Sequence, residues 1–233
     1  MKHINLSFAA CGFLGIYHLG AASALCKHGK KLLKDVQAFA GASAGSLVAS
    51  VLLTAPEKIE ECCDFFFFFS FLKQTTFLPT RPTWGPVSSS RSGMESILPP
   101  NAHELAHHRL HVSITSTRTR ENYLVSSFPS REDLIQKWID GGFTDSLPIL
   151  PGGRTVTISP FSGRLDISPQ DKGQLGLYVG IANQHILLSM ANLVRLHQAL
   201  FPPNKRIMES LYQRGFDDAV KFLLKESWFE QNA

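Results

Sequence analysis

Between Ile4 and Leu53 strand-like and helix-like stretches alternate, each joined to the next by a turn that carries glycine. Ile4, Leu6 and Phe8 alternate with polar residues, as a strand does. Gly12 and Gly15 open a turn, and the apolar stretch from Ile16 to Cys26 reads as a helix that closes near Gly29. Val36 to Ala40 is a short buried strand, Gly41 to Gly45 a tight turn, and Ser46 to Leu53 an apolar helix. This rhythm predicts an α/β fold with a mostly parallel sheet and helices on both faces, because parallel strands need crossover helices between them.

The length of 233 residues fits one domain over residues 1–233. With 44% hydrophobic and 18% charged residues, the composition excludes a disordered tail, a collagen and a disulfide-stapled miniprotein. The net charge is +4, and its densest basic patch is Lys27, Lys30, Lys31 and Lys34. No aromatic residues interleave with those lysines, so no nucleic-acid partner is expected. A solvated helix end explains the patch, with a footing on anionic lipid as the sharper alternative. The four cysteines form no C-x-x-C pair, which argues against a zinc ribbon and for a reducing, intracellular setting. The segment from Ile4 to Tyr17 reads as a strand leading into a loop rather than a signal peptide. Phe65 to Leu72 is too short to span a bilayer, which takes ~20 apolar residues.

Further along, Thr54-Ala55-Pro56-Glu57 has the pattern of a capping box opening a second helix through Cys62 and Cys63. The five phenylalanines Phe65 to Phe69 have no period, so no single face of a helix or strand hides them all. The stretch onward to Arg91 reads as irregular loop. Leu110 to Ile114 and Tyr123 to Phe128 form a hairpin, Ser130 to Asp133 caps a helix, and Thr155 to Ile158 is a strand. The C-terminal part, about 183–230, is expected to be helical in three pieces: Ile186 to Leu200, Lys205 to Gln213 and Phe216 to Leu224, with Gly215 stopping the second.

Gly41-Ala42-Ser43-Ala44-Gly45 is G-x-S-x-G between a strand and a helix, the context that gives this motif meaning. Small flanking residues allow a sharp turn that projects the Ser43 hydroxyl, and the next helix aims its amide end at it. The loop Ala10-Cys11-Gly12-Phe13-Leu14-Gly15 approximates the dinucleotide fingerprint, but Ala10 stands at its first glycine and no acidic residue ends the next strand. Its other use is an oxyanion hole, with the amides near Cys11, Gly12 and Phe13 converging on one spot. Asp140-Gly141-Gly142 places a carboxylate ahead of two permissive glycines, where it either reaches into a site or starts a turn.

A glycine loop, then Gly41-x-Ser43-x-Gly45, then Asp140-Gly141-Gly142, in this order, resembles the patatin-like phospholipase family. The wording Cys11-Gly12-Phe13-Leu14-Gly15 is similar to its adiponutrin-like branch. The resemblance implies a three-layer patatin-like fold and a Ser43–Asp140 dyad that works without histidine. Ser43 is then the nucleophile, Asp140 the proton acceptor, and Gly12 and its neighbours hold the oxyanion. It further implies lipid-ester substrates (triacylglycerol, phospholipid or retinyl ester), hydrolysis or acyl transfer, no cofactor, and peripheral work at a membrane or lipid droplet. Cytoplasm, lipid droplet and mitochondrion stay open as locations.

The resemblance covers residues 1 to about 63 and about 91 to 230. It lapses from Asp64 to about Ser90, and Leu134 to Lys137 stands where the family carries a longer segment before the Asp-Gly pair. That leaves a catalytically impaired lipid-binding or interaction variant as an alternative, with the Phe run as an exposed sticky patch. A Ser-His-Asp hydrolase using His185 or His197 is a second, since both follow Asp140 and sit on a stretch that reads as helix. His103-Glu104-Leu105-Ala106-His107 spells H-E-x-x-H, but Leu110 stands where a metzincin needs glycine, and no metal is expected.

Overall fold

The computed structural model describes residues 3–75, 93–116, 118–137, 144–171 and 176–231. Among them the central sheet has five strands in the order β4-β3-β2-β1-β5. These are β1 (Ile4–Phe8), β2 (Val36–Ala42), β3 (Leu110–Thr115), β4 (Asn122–Val125) and β5 (Arg154–Ile158). β1 lies parallel to both β2 and β5, β2 is parallel to β3, and the β3–β4 hairpin alone is antiparallel. The mostly parallel α/β sheet flanked by helices is therefore the one expected.

β1 shows why the parallel arrangement holds. All five of its residues are buried, as suits a central strand covered on both sides. Its polar members are satisfied there: Asn5 Nδ2 donates to the Gly152 carbonyl at 3.0 Å and Ser7 Oγ to the Pro148 carbonyl at 2.6 Å. Alternation along this strand thus separates two buried faces rather than core from solvent.

Helix α1 (Gly15–His28) is buried from Gly15 to Leu25. It is followed by α2 (Lys30–Asp35), α3 (Ala44–Thr54) and α4 (Ile59–Thr75). The capping box does not form. Thr54 is instead the last residue of α3, its Oγ1 donating back to the Ser50 carbonyl at 2.8 Å, and Ala55, which has no capping side chain, takes the N-cap position of the next turn. The Phe run lies inside α4, which continues to Thr75 where loop was expected; the rest of that stretch to Arg91 lies outside the described residues. Helical spacing buries Phe66, leaves Phe65 and Phe67 partly buried against the core, and turns Phe68 outward. The sticky patch is thereby reduced to Phe68 among the rings described.

Short α5 (Ala102–Ala106) and α6 (Arg131–Lys137) follow, the latter capped as expected by Ser130 Oγ accepting from Asp133 N at 3.0 Å. The C-terminal part departs from the expectation twice. A hairpin, β6 (Tyr178–Ile181) with β7 (Gln184–Leu187), takes the start of the supposed helix, and α7 begins only at Met190 and runs to Leu200. Gly215 stops nothing either, since α8 is continuous from Lys205 to Lys225. No helix among the described residues is long and apolar enough to cross a membrane.

Gly215 has a different job. A Cβ there would lie 2.0 Å from the Tyr17 carbonyl oxygen on α1, and one on Gly20 of α1 would lie 2.0 Å from the Tyr212 oxygen on α8. The two helices meet backbone to backbone. In an open helix Gly→Ala gains about 1 kcal/mol; here Gly215→Ala is expected to cost about 1–3 kcal/mol by overpacking. A fall in the urea midpoint checks this, and a stabilised variant would show that the helices part freely.

Candidate active site

Ser43 sits between β2 and α3 with φ 52° and ψ −127°, a backbone conformation that costs a non-glycine residue of order 1–3 kcal/mol. The neighbouring glycines make that turn possible. A Cβ on Gly41 would lie 2.5 Å from Ser46 N, and one on Gly45 only 2.3 Å from the Phe8 carbonyl oxygen. The turn is closed from below, because Ser46 N and Ser46 Oγ donate to the Ser43 carbonyl at 3.0 and 2.7 Å. The Ser43 side chain makes no capping bond to α3, so its hydroxyl stands at the amide end of an 11-residue helix without being spent as the cap.

The Gly12 turn comes to the same edge by register. Phe8 at the end of β1 pairs with Gly41 of β2, so the segments that leave the two strands emerge side by side. Cys11 leads into a tight turn over Gly12–Leu14, with Gly12 at φ 53°, and α1 starts at Gly15. A Cβ on Gly15 would sit 3.2 Å from the Ala44 Cβ, the residue after Ser43. The structure therefore brings the Cys11–Phe13 turn and Ser43 together, with two helix N-termini converging between them. Cys11 is buried and burial pushes its thiol far up, so it offers no competing nucleophile.

His18 props this turn from behind. Its Nε2–H donates to the carbonyl of Ala9 at 2.8 Å, and its Nδ1 has no partner among the described residues. Burial drives the imidazole down to about 4, against which the Ala9 hydrogen bond works only partly. The sign follows from linkage. Above pH ~6.5 the ring is neutral folded or unfolded and pH has no effect through it; below, only the unfolded chain takes the proton. Stability is thus expected to fall by about 3 kcal/mol between pH ~6.5 and ~4 through this group, and His18→Gln is expected to flatten that slope in urea titrations.

Asp140, Gly141 and Gly142 lie outside the described residues. The chain that leaves them is placed. Thr144 Oγ1 is 3.0 Å from Thr115 Oγ1, the Asp145 carbonyl accepts from Ser113 Oγ at 2.7 Å, and the Ser146 carbonyl accepts from Ala10 N at 2.7 Å. Ser113 pairs with Ala42, the residue before Ser43. Thr144 to Ser146 therefore crosses the strand ends directly over the turn that carries the serine. Asp145, which sequence reasoning passed over, belongs to this crossing, and its Oδ1 is buried with no partner among the described residues. Its signal was present in the sequence, as the second aspartate of the stretch from Asp140 to Pro148.

The histidines weighed for a triad are elsewhere. His185 is exposed on strand β7, not on a helix, because Arg164 N and the β6 partner engage its backbone. His197 is exposed on α7 and tilts against Phe201 at 4.9 Å between ring centroids. Ala199 on the opposite side of the same helix faces Gly12. Nor do His103 and His107 share a helical face: α5 ends before His107, whose Nδ1 accepts from Phe128 N at 3.4 Å. Among the described residues no group of three or more His, Cys, Asp or Glu could hold a metal ion.

Known proteins match this sequence. The family described as patatin-like phospholipase matches residues 6–136, a span that holds the Gly12 turn and Ser43 and ends short of Asp140. Human patatin-like phospholipase domain-containing protein 4 is 70% identical, over 99% of this chain and 100% of that protein. That alignment runs over 253 residues against a chain of 233, so it includes positions that this chain lacks. Mouse 1-acylglycerol-3-phosphate O-acyltransferase Pnpla3 is 32% identical over 94% of the chain and 58% of its own length. Human omega-hydroxyceramide transacylase is 31% identical over 94% of the chain and 45% of its own length. The chain spans about half the length of these last two.

Proposed function

Because the chain belongs to the patatin-like phospholipase family, we propose that it cleaves or transfers the acyl group of lipid esters, with Ser43 as nucleophile and Asp140 as proton acceptor. The observation that carries this reading is the positive-φ Ser43 at the amide end of α3, set beside the Gly12 turn at the ends of two adjacent parallel strands. Ser43 Oγ attacks the ester carbonyl, and its proton passes to Asp140 and then to the departing alcohol. The amides of Cys11, Gly12 and Phe13 stabilise the oxyanion as it forms. Water resolves the acyl-enzyme in hydrolysis, and a lipid hydroxyl resolves it in transfer. Two relatives are named for transfer to lipid acceptors, which favours a transacylase component here. Triacylglycerol, phospholipid and retinyl esters are the substrates to try first.

Asp140 is within four residues of the anchored Thr144, a reach of at most ~14 Å for extended chain. A second reading has its own observation. Asp145, whose buried Oδ1 has no partner among the described residues, takes the proton instead. A fluorophosphonate probe decides between these and an impaired protein. The expected result is covalent labelling at Ser43 located by mass spectrometry, abolished in Asp140→Asn and kept in Asp145→Asn, His185→Ala and His197→Ala. The reverse pattern in the two aspartate variants moves the base to Asp145. A folded chain that takes no label is the impaired lipid-binding variant and ends the hydrolase reading.

A further inference from the structure

Helix α7 is built inside out. Its inward side is polar or small. Asn192 accepts from Ser162 N at 2.9 Å and donates to the Ser162 and Leu187 carbonyls at 2.8 and 2.7 Å. Arg195 makes a bidentate pair with Asp171, both bonds at about 2.7–2.8 Å, and Ala199 rests on Gly12. Its outward side is apolar except for the exposed His197. Met190, Leu193, Val194 and Leu200, with Phe201 just past the helix end, are each 47–71% exposed. At 100° per residue these positions fall on one stripe opposite Asn192, Arg195 and Ala199. Water imposes the reverse arrangement on a surface helix, so this face is made for an apolar medium. Leu177 and Leu188 extend it onto the hairpin, their strands joined by a Leu188 N to Leu177 O hydrogen bond at 2.8 Å.

Charge says which medium. From Lys172 to Met208 the sequence contains no aspartate or glutamate, while exposed Lys205 and Arg206 follow Phe201 within five residues, Lys205 also lying 3.9 Å from the exposed Glu209 carboxylate. At the hairpin end Arg164 is exposed, its guanidinium 4.7 Å over the Tyr178 ring. We propose that the outward face of α7 is the surface by which this protein docks on an anionic phospholipid layer. The apolar stripe enters the acyl boundary and Arg164, Lys205 and Arg206 meet the headgroups. A second copy of the chain is disfavoured as the occupant, because two such faces would set like charges against each other. The proposal deepens the lipid-ester reading and rests on it for its purpose. Ala199, on the back of the docked helix, touches the Gly12 turn, so docking holds the reaction centre at the surface that supplies a water-insoluble ester.

The test is flotation of the purified chain with vesicles of phosphatidylcholine containing phosphatidylserine. Leu193→Glu/Val194→Glu is expected to lower vesicle affinity at least tenfold with an unchanged thermal midpoint, since neither residue packs inward. Lys205→Glu/Arg206→Glu is expected to weaken binding only where phosphatidylserine is present. Independently of any loss, Leu193→Trp is expected to show a blue-shifted emission on vesicle addition, quenched by brominated phosphatidylcholine. Equal binding by the Leu193→Glu/Val194→Glu protein, or unshifted Trp emission on bound vesicles, overturns the proposal. So does a concentration-dependent dimer that the same double change dissolves while vesicles go unbound. A wild-type chain that binds through this face yet takes no fluorophosphonate label loses the hydrolase reading while the docking surface stands.

Discussion

Ser43→Ala is expected to cut ester turnover by about a thousandfold or more, the scale on which nucleophile removal acts in serine hydrolases, without moving the denaturation midpoint. Alanine keeps the Cβ and loses only the Oγ, so the strained turn is unchanged. Ser43→Gly separates the two properties. It is equally inactive, yet it frees φ 52°, ψ −127° from a side-chain penalty and is expected to gain about 1 kcal/mol, the scale of relieving such strain. Turnover of a soluble short-chain ester, read beside urea midpoints for all three proteins, checks both halves. Residual turnover within tenfold of wild type in Ser43→Ala would place the nucleophile elsewhere.

Gly12→Ala is the second large effect. The methyl meets the Ala199 carbonyl oxygen at 2.2 Å and must also accept φ 53°. Neither obstacle yields by a rotamer change, because the clash is with backbone. The turn has to shift, and with it the amides proposed to meet the oxyanion. Loss of a single oxyanion donor costs about 10²–10³ in rate, and that is the fall expected in acyl-enzyme formation, measured as the rate of fluorophosphonate labelling. Gly152→Ala supplies the control. Gly152 also has a positive φ, of 89°, but none of the described residues lies within 4 Å of its Cβ position. That change is expected to cost stability alone.

The first third of the fold is legible because several signals agree there. Alternation in β1, glycines at both turns and a short apolar strand at β2 leave few other arrangements, and the Ser43 turn follows from them. The C-terminal third was harder for identifiable reasons. Ile186, Leu187 and Leu188 are apolar in succession, and that triplet alone does not distinguish two residues of strand end from a helix start; Ser189, whose Oγ caps α7 by accepting from Asn192 N, is the signal that separates them. Gly215 reads locally as a stop, whereas its reason is the carbonyl of Tyr17, nearly two hundred residues away in the chain. Amphipathic spacing identified α7 as a helix but cannot say which stripe faces in, and the buried Asn192 and partly buried Arg195 reverse the usual assumption. For the site, the nucleophile and the glycine turn were readable from motif and context. Asp145 showed in the sequence only as a second aspartate after Asp140; its interest comes from a buried Oδ1 without a partner among the described residues, which only tertiary structure reveals.

The two glycines that flank Ser43 are held by backbone atoms of Ser46 and Phe8, not by any part of the reaction. Selection therefore acts on them through folding, and on Ser43 through chemistry. In a descendant that abandons catalysis, Gly41 and Gly45 should persist unchanged over long divergence. Ser43, relieved of its task but still in a conformation that taxes it, should drift early toward glycine or asparagine. A preserved pair of glycines around a changed centre is thus the inheritance mark of a retired enzyme, and a preserved serine in that strained position marks one still in use.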